Sequence, residues 1–212
     1  GGIMKKRLIF DVDDTLIPWK KSYYVTLKKL LKRNGIKLSW LRFYKTLMSI
    51  EEYEKTHECW NMEEFKDCIS KVANIEMNDE KIELFLNWLK NCLDDVASKD
   101  LIDTLKYLSK KYELVVLSNS FKVAQDERLK NFEIRKFFKE LYCGDEFMKP
   151  SKKAYLKACF KFKPQDCIII GDNLNFDVIE PSKLGISPIY VNKRKHKDYI
   201  TIKNVCELKD IL

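Results

Sequence analysis

The sequence predicts an α/β fold in which a doubly wound parallel sheet carries an all-helical insertion. Beyond Ser98, short apolar runs alternate with stretches of helical periodicity, a pattern typical of parallel strands covered by helices on both faces. Residues 18–97 instead contain successive helical patterns and no convincing strand. Several of the apolar runs end in acidic or hydroxyl side chains, so the sequence also predicts functional groups at one edge of the sheet.

The composition is that of a compact globular protein. The chain has 212 residues, of which 45% are hydrophobic, so it can fill a real core in one domain with a modest insertion. Its 40 basic and 32 acidic residues give a net charge of +8, which could favour nucleic acid, an acidic membrane surface or small anionic substrates. Only residues 193–197 form a dense basic run, and this is typical of a solvated loop. Because no nucleic-acid-binding signature accompanies it, we expect no nucleic-acid partner.

The cysteines and histidines bear on metal chemistry and on the cellular compartment. The seven cysteines are odd in number and form no C-x-x-C pair, and there are only two histidines, so zinc-ligand spacing is absent. Most of the cysteines are expected to be small buried thiols in a reducing compartment. No apolar run reaches membrane-spanning length and no signal peptide is recognisable. The predicted location is the cytoplasm, without a membrane partner.

The first predicted strand is the apolar run that ends at Asp11. Asp13 follows two residues later, so in extended backbone both carboxylates point the same way while Val12 is turned aside. Two carboxylates this close repel each other, and one tends to keep its proton unless a cation joins them. An Asp-rich turn that merely closes a strand would look the same, so this stretch alone does not decide its role.

Helical patterns fill the insertion that follows. The first helix is predicted over residues 22–34, where apolar residues recur at helical spacing and Gly35 can cap the end. Further helices are predicted over residues 40–54, 62–73 and 80–93. The aromatic residues of this part are predicted to form the core of a small bundle: Tyr44, Tyr53, Trp60, Phe65, Phe85 and Trp88.

The second half of the chain repeats strand and helix. Ser98 is the predicted N-cap of a helix that ends at Lys111, with Asp100 in its first turn. The elements predicted after it are strands over 114–117, 141–143, 167–170 and 188–191, and helices over 123–132, 151–160 and from the end of the third of these strands to Leu184.

Polar residues follow three of the predicted strands. Because the carboxyl ends of parallel strands meet at one edge of a sheet, these residues should converge. They are Asp11 and Asp13 after the first strand, Ser118 and Asn119 after the second, and Asp172 after the strand at 167–170, with Lys149 between the second and third groups.

In order and spacing, these residues resemble the four motifs of the haloacid dehalogenase (HAD) superfamily of phosphotransferases. The matches are D-x-D-x-T at residues 11–15, the second-motif serine Ser118, the third-motif lysine Lys149, and G-D-x-x-x-x-D at residues 171–177. A single D-x-D would be weak evidence, whereas the ordered set is highly specific and covers the whole core. Asp14 stands where many relatives carry glycine, and its side chain is expected to face away from the metal.

The resemblance implies a Rossmann-like core made of residues 4–17 and 98–212. Residues 18–97 then resemble the helical cap domain that one subgroup inserts between the first and second motifs. Such a cap closes over the site, excludes water and supplies specificity contacts. The first candidates for those contacts, or for packing at the hinge, are Trp19, Tyr23 and Tyr24.

Phosphoryl transfer requires an in-line nucleophile and neutralised charge, and the matched residues can supply both. Asp11 is the expected nucleophile, forming an aspartyl-phosphate. Asp13 is expected to protonate the leaving alcohol and later to deprotonate the attacking water. Ser118 and the Asn119 amide are expected to hold the phosphoryl oxygens, and Lys149 to offset charge on the phosphate and the nucleophile.

By resemblance the cofactor is Mg²⁺. Its expected ligands are the Asp11 carboxylate, the Asp13 backbone carbonyl and Asp172, and oxygen ligands are those that this ion prefers. Asp177 is expected either as a further ligand or beside the ion, although a first-turn helix residue would look the same. Thr15 is expected to orient the loop.

The expected activity is Mg²⁺-dependent hydrolysis of a small phosphorylated metabolite, such as a sugar phosphate or a nucleotide. A phosphomutase of the same superfamily stays open as an alternative, as does a non-catalytic regulatory or binding protein on the same scaffold. Dehalogenases of the superfamily use a nucleophilic aspartate but lack the second acid, so Asp13 favours phosphate-ester chemistry. The sequence does not name the substrate, the specificity residues or the oligomeric state.

Overall fold

A single sheet forms the centre of the protein in the computed structural model, which describes residues 6–73, 76–83, 87 and 96–212. Within these residues the sheet has six strands in the order β3-β2-β1-β4-β5-β6, and all neighbours are parallel. The strands are β1 (Arg7–Phe10), β2 (Glu113–Ser118), β3 (Glu140–Cys143), β4 (Cys167–Gly171), β5 (Ser187–Val191) and β6 (Thr201–Ile202). The predicted parallel α/β fold is confirmed, and only β6, which is too short to show a pattern, was not predicted.

The strand β1 lies in the middle of this sheet. Leu8, Ile9 and Phe10 have no exposed surface, because β2 and β4 pair with β1 on its two sides. Phe10 is level with Val116 of β2 and with Ile170 of β4. The residues that follow these three positions therefore reach the same edge of the sheet.

Helices cover both faces of the sheet. Leu8 and Phe10 belong to one hydrophobic cluster, together with Leu105, whereas Ile9 belongs to a second cluster, together with Tyr155. Alternate residues of one strand thus enter two cores, as the pleat of a β-strand requires. This is the doubly wound arrangement that the sequence predicts.

The α-helices of the described residues follow the predicted order. They are α1 (Lys20–Arg33), α2 (Trp40–Thr56), α3 (Met62–Ala73), α4 (Lys99–Lys111), α5 (Lys122–Asn131), α6 (Lys152–Ala158) and α7 (Glu180–Lys183). The predicted cap of α4 is confirmed, since the Ser98 hydroxyl accepts a hydrogen bond from the Leu101 amide at 3.2 Å. None of the helices described here is long and apolar enough to cross a membrane.

The regular structure between residues 18 and 97 is entirely helical wherever the structure describes it. A separate hydrophobic cluster joins α1, α2 and α3 through residues such as Leu27, Phe43 and Ile69. Of the helix predicted over 80–93, residues 80–83 and 87 are helical and the others lie outside the described residues. The proposed boundaries of core and insertion stay a prediction.

The aromatic residues of this helical part have different environments. Trp60 is buried, Tyr53 stacks on it with ring centroids 4.0 Å apart, and Phe65 packs against the helical cluster. The prediction that Tyr44 belongs to the core is wrong, because 55% of it is exposed. It lies one turn after the exposed Trp40 on the outer side of α2. The other two predicted members, Phe85 and Trp88, lie outside the described residues.

The cysteines divide between core and surface. The described ones are free thiols: Cys143, Cys159 and Cys167 are buried, Cys68 and Cys206 are partly buried, and Cys59 is exposed, while Cys92 lies outside the described residues. The prediction of buried cysteines is therefore confirmed for the three in or beside the sheet, which has helices packed on both of its faces. The other three described cysteines are partly buried or exposed.

Candidate active site

The loop after β1 holds the first of the candidate acids in place. The amide of Asp11 donates to the carbonyl of Ile170 in β4 at 2.9 Å, which extends the strand pairing by one residue. The chain then turns, because the amides of Leu16 and Ile17 both donate to the carbonyl of Val12, at 2.9 and 3.0 Å. Asp11 is thereby fixed at the edge of the sheet beside the end of β4.

Asp14 makes the turn in this loop and caps the next helix. Its φ of +59° lies in the left-handed region, which glycine adopts most readily and which Asp tolerates better than most residues. Its carboxylate accepts hydrogen bonds from the amides of Trp19 at 2.8 Å and Lys20 at 3.3 Å. The side chain is therefore directed towards the start of α1.

Three carboxylates meet beyond the ends of β1 and β4. Oxygen atoms of Asp11, Asp172 and Asp177 all lie within 4.8 Å of one another. Asp11 and Asp177 are buried, and Asp172 is partly buried. The hydroxyl of Thr15 lies between two of them, 3.1 Å from Asp11 Oδ2 and 3.5 Å from Asp172 Oδ1. The structure thus brings together acids that are more than 150 residues apart in the sequence.

Local structure after β4 positions Asp177. A Cβ atom on Gly171 would lie 2.3 Å from Asp177 Oδ2, so only glycine leaves room for this carboxylate. The Asn173 side chain accepts hydrogen bonds from the amides of Asn175 and Phe176, both at 3.0 Å, and so starts the helical turn that carries Asp177. The Asn173 amide in turn donates to Asp177 Oδ2 at 3.0 Å.

Lys149 supplies positive charge to this acidic cluster. Its Nζ donates to Asp11 Oδ1 at 2.9 Å and to Asp177 Oδ1 at 2.6 Å. Its backbone is clamped by Asn119, whose side-chain amide donates to the Lys149 carbonyl at 2.8 Å and accepts from the Lys149 amide at 2.7 Å. Burial by itself lowers the pKa of Lys149, but the charges of Asp11 and Asp177 outweigh it, so the pKa is raised and the ammonium stays protonated.

The carboxylates of the cluster hold more negative charge than Lys149 balances. Burial raises the pKa of Asp11 well above its ordinary value, Lys149 opposes this shift, and Asp177 and Asp172 add to it. Burial, followed by the charges of Asp177 and Asp14, raises the pKa of Asp172 to about 7. Such shifts mean that ionising all three carboxylates is unfavourable without a further cation. The three oxygen donors fit a hard divalent ion such as Mg²⁺, which would favour their charged forms.

Asp13 lies beside this cluster with a separate set of partners. Gln125 Nε2 donates to Asp13 Oδ2 at 2.8 Å and to the Ser118 hydroxyl at 2.7 Å. Arg128 forms an ion pair with the other oxygen of Asp13 and donates to Gln125 Oε1 at 2.8 Å. The second acid of the loop is therefore oriented by two side chains of α5.

Gln125 and Arg128 are not among the site residues that the sequence predicts. They lie three residues apart, so they share one face of a helix, and that face is buried together with Ala124 and Leu129. A polar pair among small and apolar residues at this spacing is a signal that could have found them. This signal is weak in the sequence, because the helix is otherwise rich in charged residues, which are typical of a solvated surface.

The residues expected to hold a phosphate do not share one environment. Ser118 is fully buried, and its hydroxyl accepts hydrogen bonds from Gln125 and, at 3.3 Å, from the Ser120 amide. Asn119 and Ser120 instead line the cavity above the acids. Gly144 allows β2 and β3 to end this close together, since a Cβ atom there would lie 2.2 Å from the Asn119 carbonyl oxygen.

A cavity of about 280 Å³ separates the acids from the helical part of the chain. Trp19 and Tyr23, two of the residues expected to contact a substrate, line it and stack with centroids 4.9 Å apart. The third, Tyr24, is not among the lining residues and stacks on Trp40 at 4.4 Å instead. The remaining lining residues of the helical part are Lys20, Leu47, Ile50, Glu51, Glu54, Trp60 and Phe65.

Two backbone hydrogen bonds join the helical part to the sheet edge beside this cavity. The amide of Trp60 donates to the carbonyl of Gly144 at 2.8 Å, and the amide of Met148 donates to the carbonyl of Glu58 at 2.8 Å. The second bond lies next to Lys149 in the chain. The wall of the cavity is thus attached to the loop that carries the cluster's ammonium group.

Known proteins are similar to this chain over most of its length. A family model for haloacid dehalogenase-like hydrolases matches residues 8–191. The chain is 29% identical to the glyceraldehyde 3-phosphate phosphatase of Methanothermobacter thermautotrophicus, over 99% of this chain and all of that protein. It is 25% identical to the enzyme of the same name from Methanopyrus kandleri, over 92% of this chain and 87% of that protein.

A solved structure shows the same fold. The crystal structure of the putative HAD-hydrolase YfnB from Bacillus subtilis, bound to magnesium, has a TM-score of 0.80 to this chain at 19% identity and covers 98% of both chains. The match to the family model extends from β1 to the end of β5, and so includes Asp11, Asp13, Ser118, Lys149, Asp172 and Asp177. The chain therefore belongs to the haloacid dehalogenase-like hydrolase family, and it is a phosphatase of the HAD type.

Proposed function

We propose that the protein hydrolyses small phosphate monoesters with Mg²⁺ as cofactor and Asp11 as nucleophile. The observation that carries the proposal is the position of Asp11, a buried carboxylate beyond the central strand that contacts Lys149 at 2.9 Å and faces a small cavity. Asp172 and Asp177 lie beside it, so three carboxylates share the single positive charge of Lys149. A catalyst that forms an acyl phosphate requires this combination of a fixed carboxylate and compensating cations.

The proposed metal ligands are Asp11, Asp172 and Asp177, together with the backbone carbonyl of Asp13. When bound, Mg²⁺ would neutralise charge on the cluster and on the phosphate that approaches it. Lys149 would bridge the carboxylates of Asp11 and Asp177 through its two hydrogen bonds and reduce the repulsion between them. Thr15 would keep the Asp11 carboxylate in one orientation through its hydroxyl group.

The proposed reaction divides between the two acids of the first loop. The Asp11 carboxylate attacks phosphorus, and the bond to the leaving alcohol breaks while Asp13 gives that alcohol a proton. Asp13, now ionised, then takes a proton from the water that attacks the aspartyl-phosphate, which releases inorganic phosphate and restores Asp11. The backbone amide of Asn119 donates to phosphoryl oxygens during both steps, and Ser118 supports the loop beneath the site through its hydrogen bond with Gln125.

Residues 18–97 form the proposed cap domain, and residues 4–17 and 98–212 the proposed core. The cap would exclude water from the acyl phosphate and select the leaving alcohol. Support for this comes from the cavity, because one side is lined by the acids and the other by α2 and the residues around Trp60. A volume of about 280 Å³ suits a small metabolite.

The first substrate to test is glyceraldehyde 3-phosphate, because both phosphatases compared above are named for its hydrolysis. Release of inorganic phosphate should be measured for a panel of phosphorylated sugars, nucleotides and organic acids, with Mg²⁺ and with EDTA. We expect turnover only with the metal, and none from the Asp11→Asn variant under either condition. A clean preparation that hydrolyses neither a panel member nor p-nitrophenyl phosphate would refute the proposal.

A further inference from the structure

The wall of the cavity that faces the acids carries two further carboxyl groups. Glu51 and Glu54 lie three residues apart on α2, and both line the cavity. Glu51 forms an ion pair with Lys55 at 3.1 Å, and nearly half of each side chain is exposed, so its charge is shared with a cation and with solvent. Glu54 is also partly buried, and within the described residues no ion pair joins it to a basic side chain.

The surroundings of Glu54 connect it to the reaction centre. Burial raises the pKa of Glu54 to about 8, while hydrogen bonding from Asn119, the charge of Lys149 and hydrogen bonding from Trp60 reduce the shift. Asn119 is the residue that clamps the backbone of Lys149. A carboxyl group in this position lies beside the site proposed for the phosphoryl group, on the side where the leaving alcohol must lie.

We propose that Glu54 determines specificity by hydrogen bonding to a hydroxyl group of the leaving alcohol, so that the substrates are phosphate monoesters of small neutral polyhydroxy compounds. This inference rests on the proposed function and adds the substrate class and the residue that selects it. Glu54 is not part of the four sequence motifs. Its position on the cavity wall is what distinguishes it from exposed residues of α2 such as Glu52.

The chemistry of a hydroxyl group suits Glu54 in either protonation state. A hydroxyl can donate to a carboxylate and can accept from a carboxylic acid. A substrate carboxylate at the same place would face Glu54 as a like charge, or would have to share one proton with it. The basic residues that line the cavity are Lys149, already bonded to two acids, and Lys20, which acts on Asp172. Phosphorylated acids should therefore be poor substrates.

The test compares two esters that differ only at one carbon. Glycerol 3-phosphate carries a hydroxymethyl group where 3-phosphoglycerate carries a carboxylate. Above its pKa of about 8, Glu54 is a like charge to the carboxylate of 3-phosphoglycerate, so at pH 9 we expect kcat/KM of the unmodified protein to favour glycerol 3-phosphate by at least about tenfold. In Glu54→Gln, which keeps the size of the side chain, that preference should shrink about tenfold, mainly through a lower KM for 3-phosphoglycerate.

Two further variants make the comparison specific. Glu52→Gln removes an exposed carboxylate from the same helix outside the cavity, and it should keep both kcat/KM values. Glu54→Asp keeps the charge but shortens the side chain. It should therefore still disfavour 3-phosphoglycerate while it loses affinity for glycerol 3-phosphate. Thermal unfolding of each variant shows that the comparison is made on folded protein.

The outcomes separate this inference from the proposed function. Equal kcat/KM for the two esters in the unmodified protein, or an unchanged ratio in Glu54→Gln, would overturn the role of Glu54 while Mg²⁺-dependent phosphatase activity stands. Absence of any Mg²⁺-dependent turnover, including that of p-nitrophenyl phosphate, would overturn the proposed function and this inference with it.

Discussion

The buried guanidinium group of Arg128 forms an ion pair with the partly buried Asp13, the second acid of the loop after β1. Only 1% of Arg128 is exposed, and the same nitrogen also donates to Gln125. Asp13 is the group that must give a proton to the leaving alcohol in the proposed reaction. Its orientation thus depends on a helix that is more than 100 residues distant in the sequence.

Arg128→Met should reduce turnover most for substrates whose leaving alcohol needs a proton. Correctly placed acid–base catalysis contributes about 10²–10⁴-fold, and we expect loss of the ion pair to remove roughly tenfold of it. The measurement is kcat/KM, which reports the step that forms the phosphoenzyme, for glycerol 3-phosphate and for p-nitrophenyl phosphate, whose leaving group departs without protonation. Lys130→Met, on the exposed side of the same helix, is the control. An equal loss with both substrates, together with a lower melting temperature, would indicate a structural role instead.

Removal of the metal should abolish activity. A dianionic phosphate cannot approach Asp11, Asp172 and Asp177 without a divalent cation to balance their charges. We expect EDTA to stop turnover, Mg²⁺ to restore it, and Asp172→Asn to raise the concentration of Mg²⁺ needed. Because an ion that binds only the folded protein stabilises it, Mg²⁺ should also raise the melting temperature. Full turnover in the presence of chelator would contradict the assignment.

Variants of the two acids in the loop, Asp11 and Asp13, should be blocked at different steps of the reaction. Asp11→Asn should remove turnover and form no phosphoenzyme, because an amide does not replace the nucleophile. Asp13→Asn should still react with p-nitrophenyl phosphate but should accumulate phosphate on Asp11, because the water that attacks the acyl phosphate lacks its base. Rapid quench and mass spectrometry of the peptide spanning residues 8–19 would detect the phosphoryl group. Phosphate found on Ser118 instead would show that Asp11 is not the nucleophile.

The raised pKa of Glu54 predicts how substrate affinity varies with pH. With a pKa of about 8, the carboxyl group is neutral below that pH and becomes charged above it. Lys149 keeps its charge over this range, since its own pKa is raised. A new negative charge next to the phosphate should therefore raise KM as the pH increases from about 7 to about 9. Kinetics at saturating Mg²⁺ should show this rise in the unmodified protein, and its persistence in Glu54→Gln would contradict the explanation.

Gly171→Ala should weaken both folding and metal binding. The added methyl group would lie 2.3 Å from Asp177 Oδ2 and must displace that carboxylate. Overpacking of this kind costs about 1–3 kcal/mol in the free energy of unfolding. Urea denaturation with and without Mg²⁺ would measure both effects. Gly35→Ala is a useful comparison, because no atom lies within 4 Å and only its positive φ opposes the change.

The strand ends could be predicted from the sequence because period and composition determine them locally. Asp11, Asn119 and Asp172 follow buried runs, and parallel pairing brings such positions together in any fold of this class. The contacts of Asp13 could not be predicted in the same way. Arg128 and Gln125 depend on which face of α5 turns towards the sheet edge, and a helix rich in charged residues does not reveal that face.

The cavity wall was the least predictable part of the site. Glu54 is one of several glutamates in α2, and its position on the cavity wall distinguishes it from the exposed Glu52. The exposure of Tyr44 is equally hard to predict, because aromatic residues occur on both faces of α2. Periodicity alone therefore cannot decide which of these residues face a substrate.

The cavity described above has walls that come from separate parts of the chain, and this bears on how such a protein can evolve. The groups that would act on phosphorus are anchored at the ends of β1, β2 and β4, whereas those that would contact the alcohol lie on α2 and near Trp60. A point mutation at Glu54 changes one wall and leaves the opposite wall bonded as before. Selection can in this way replace the preferred metabolite without rebuilding the catalyst, and divergence of substrates among relatives requires no change in the order of their strands.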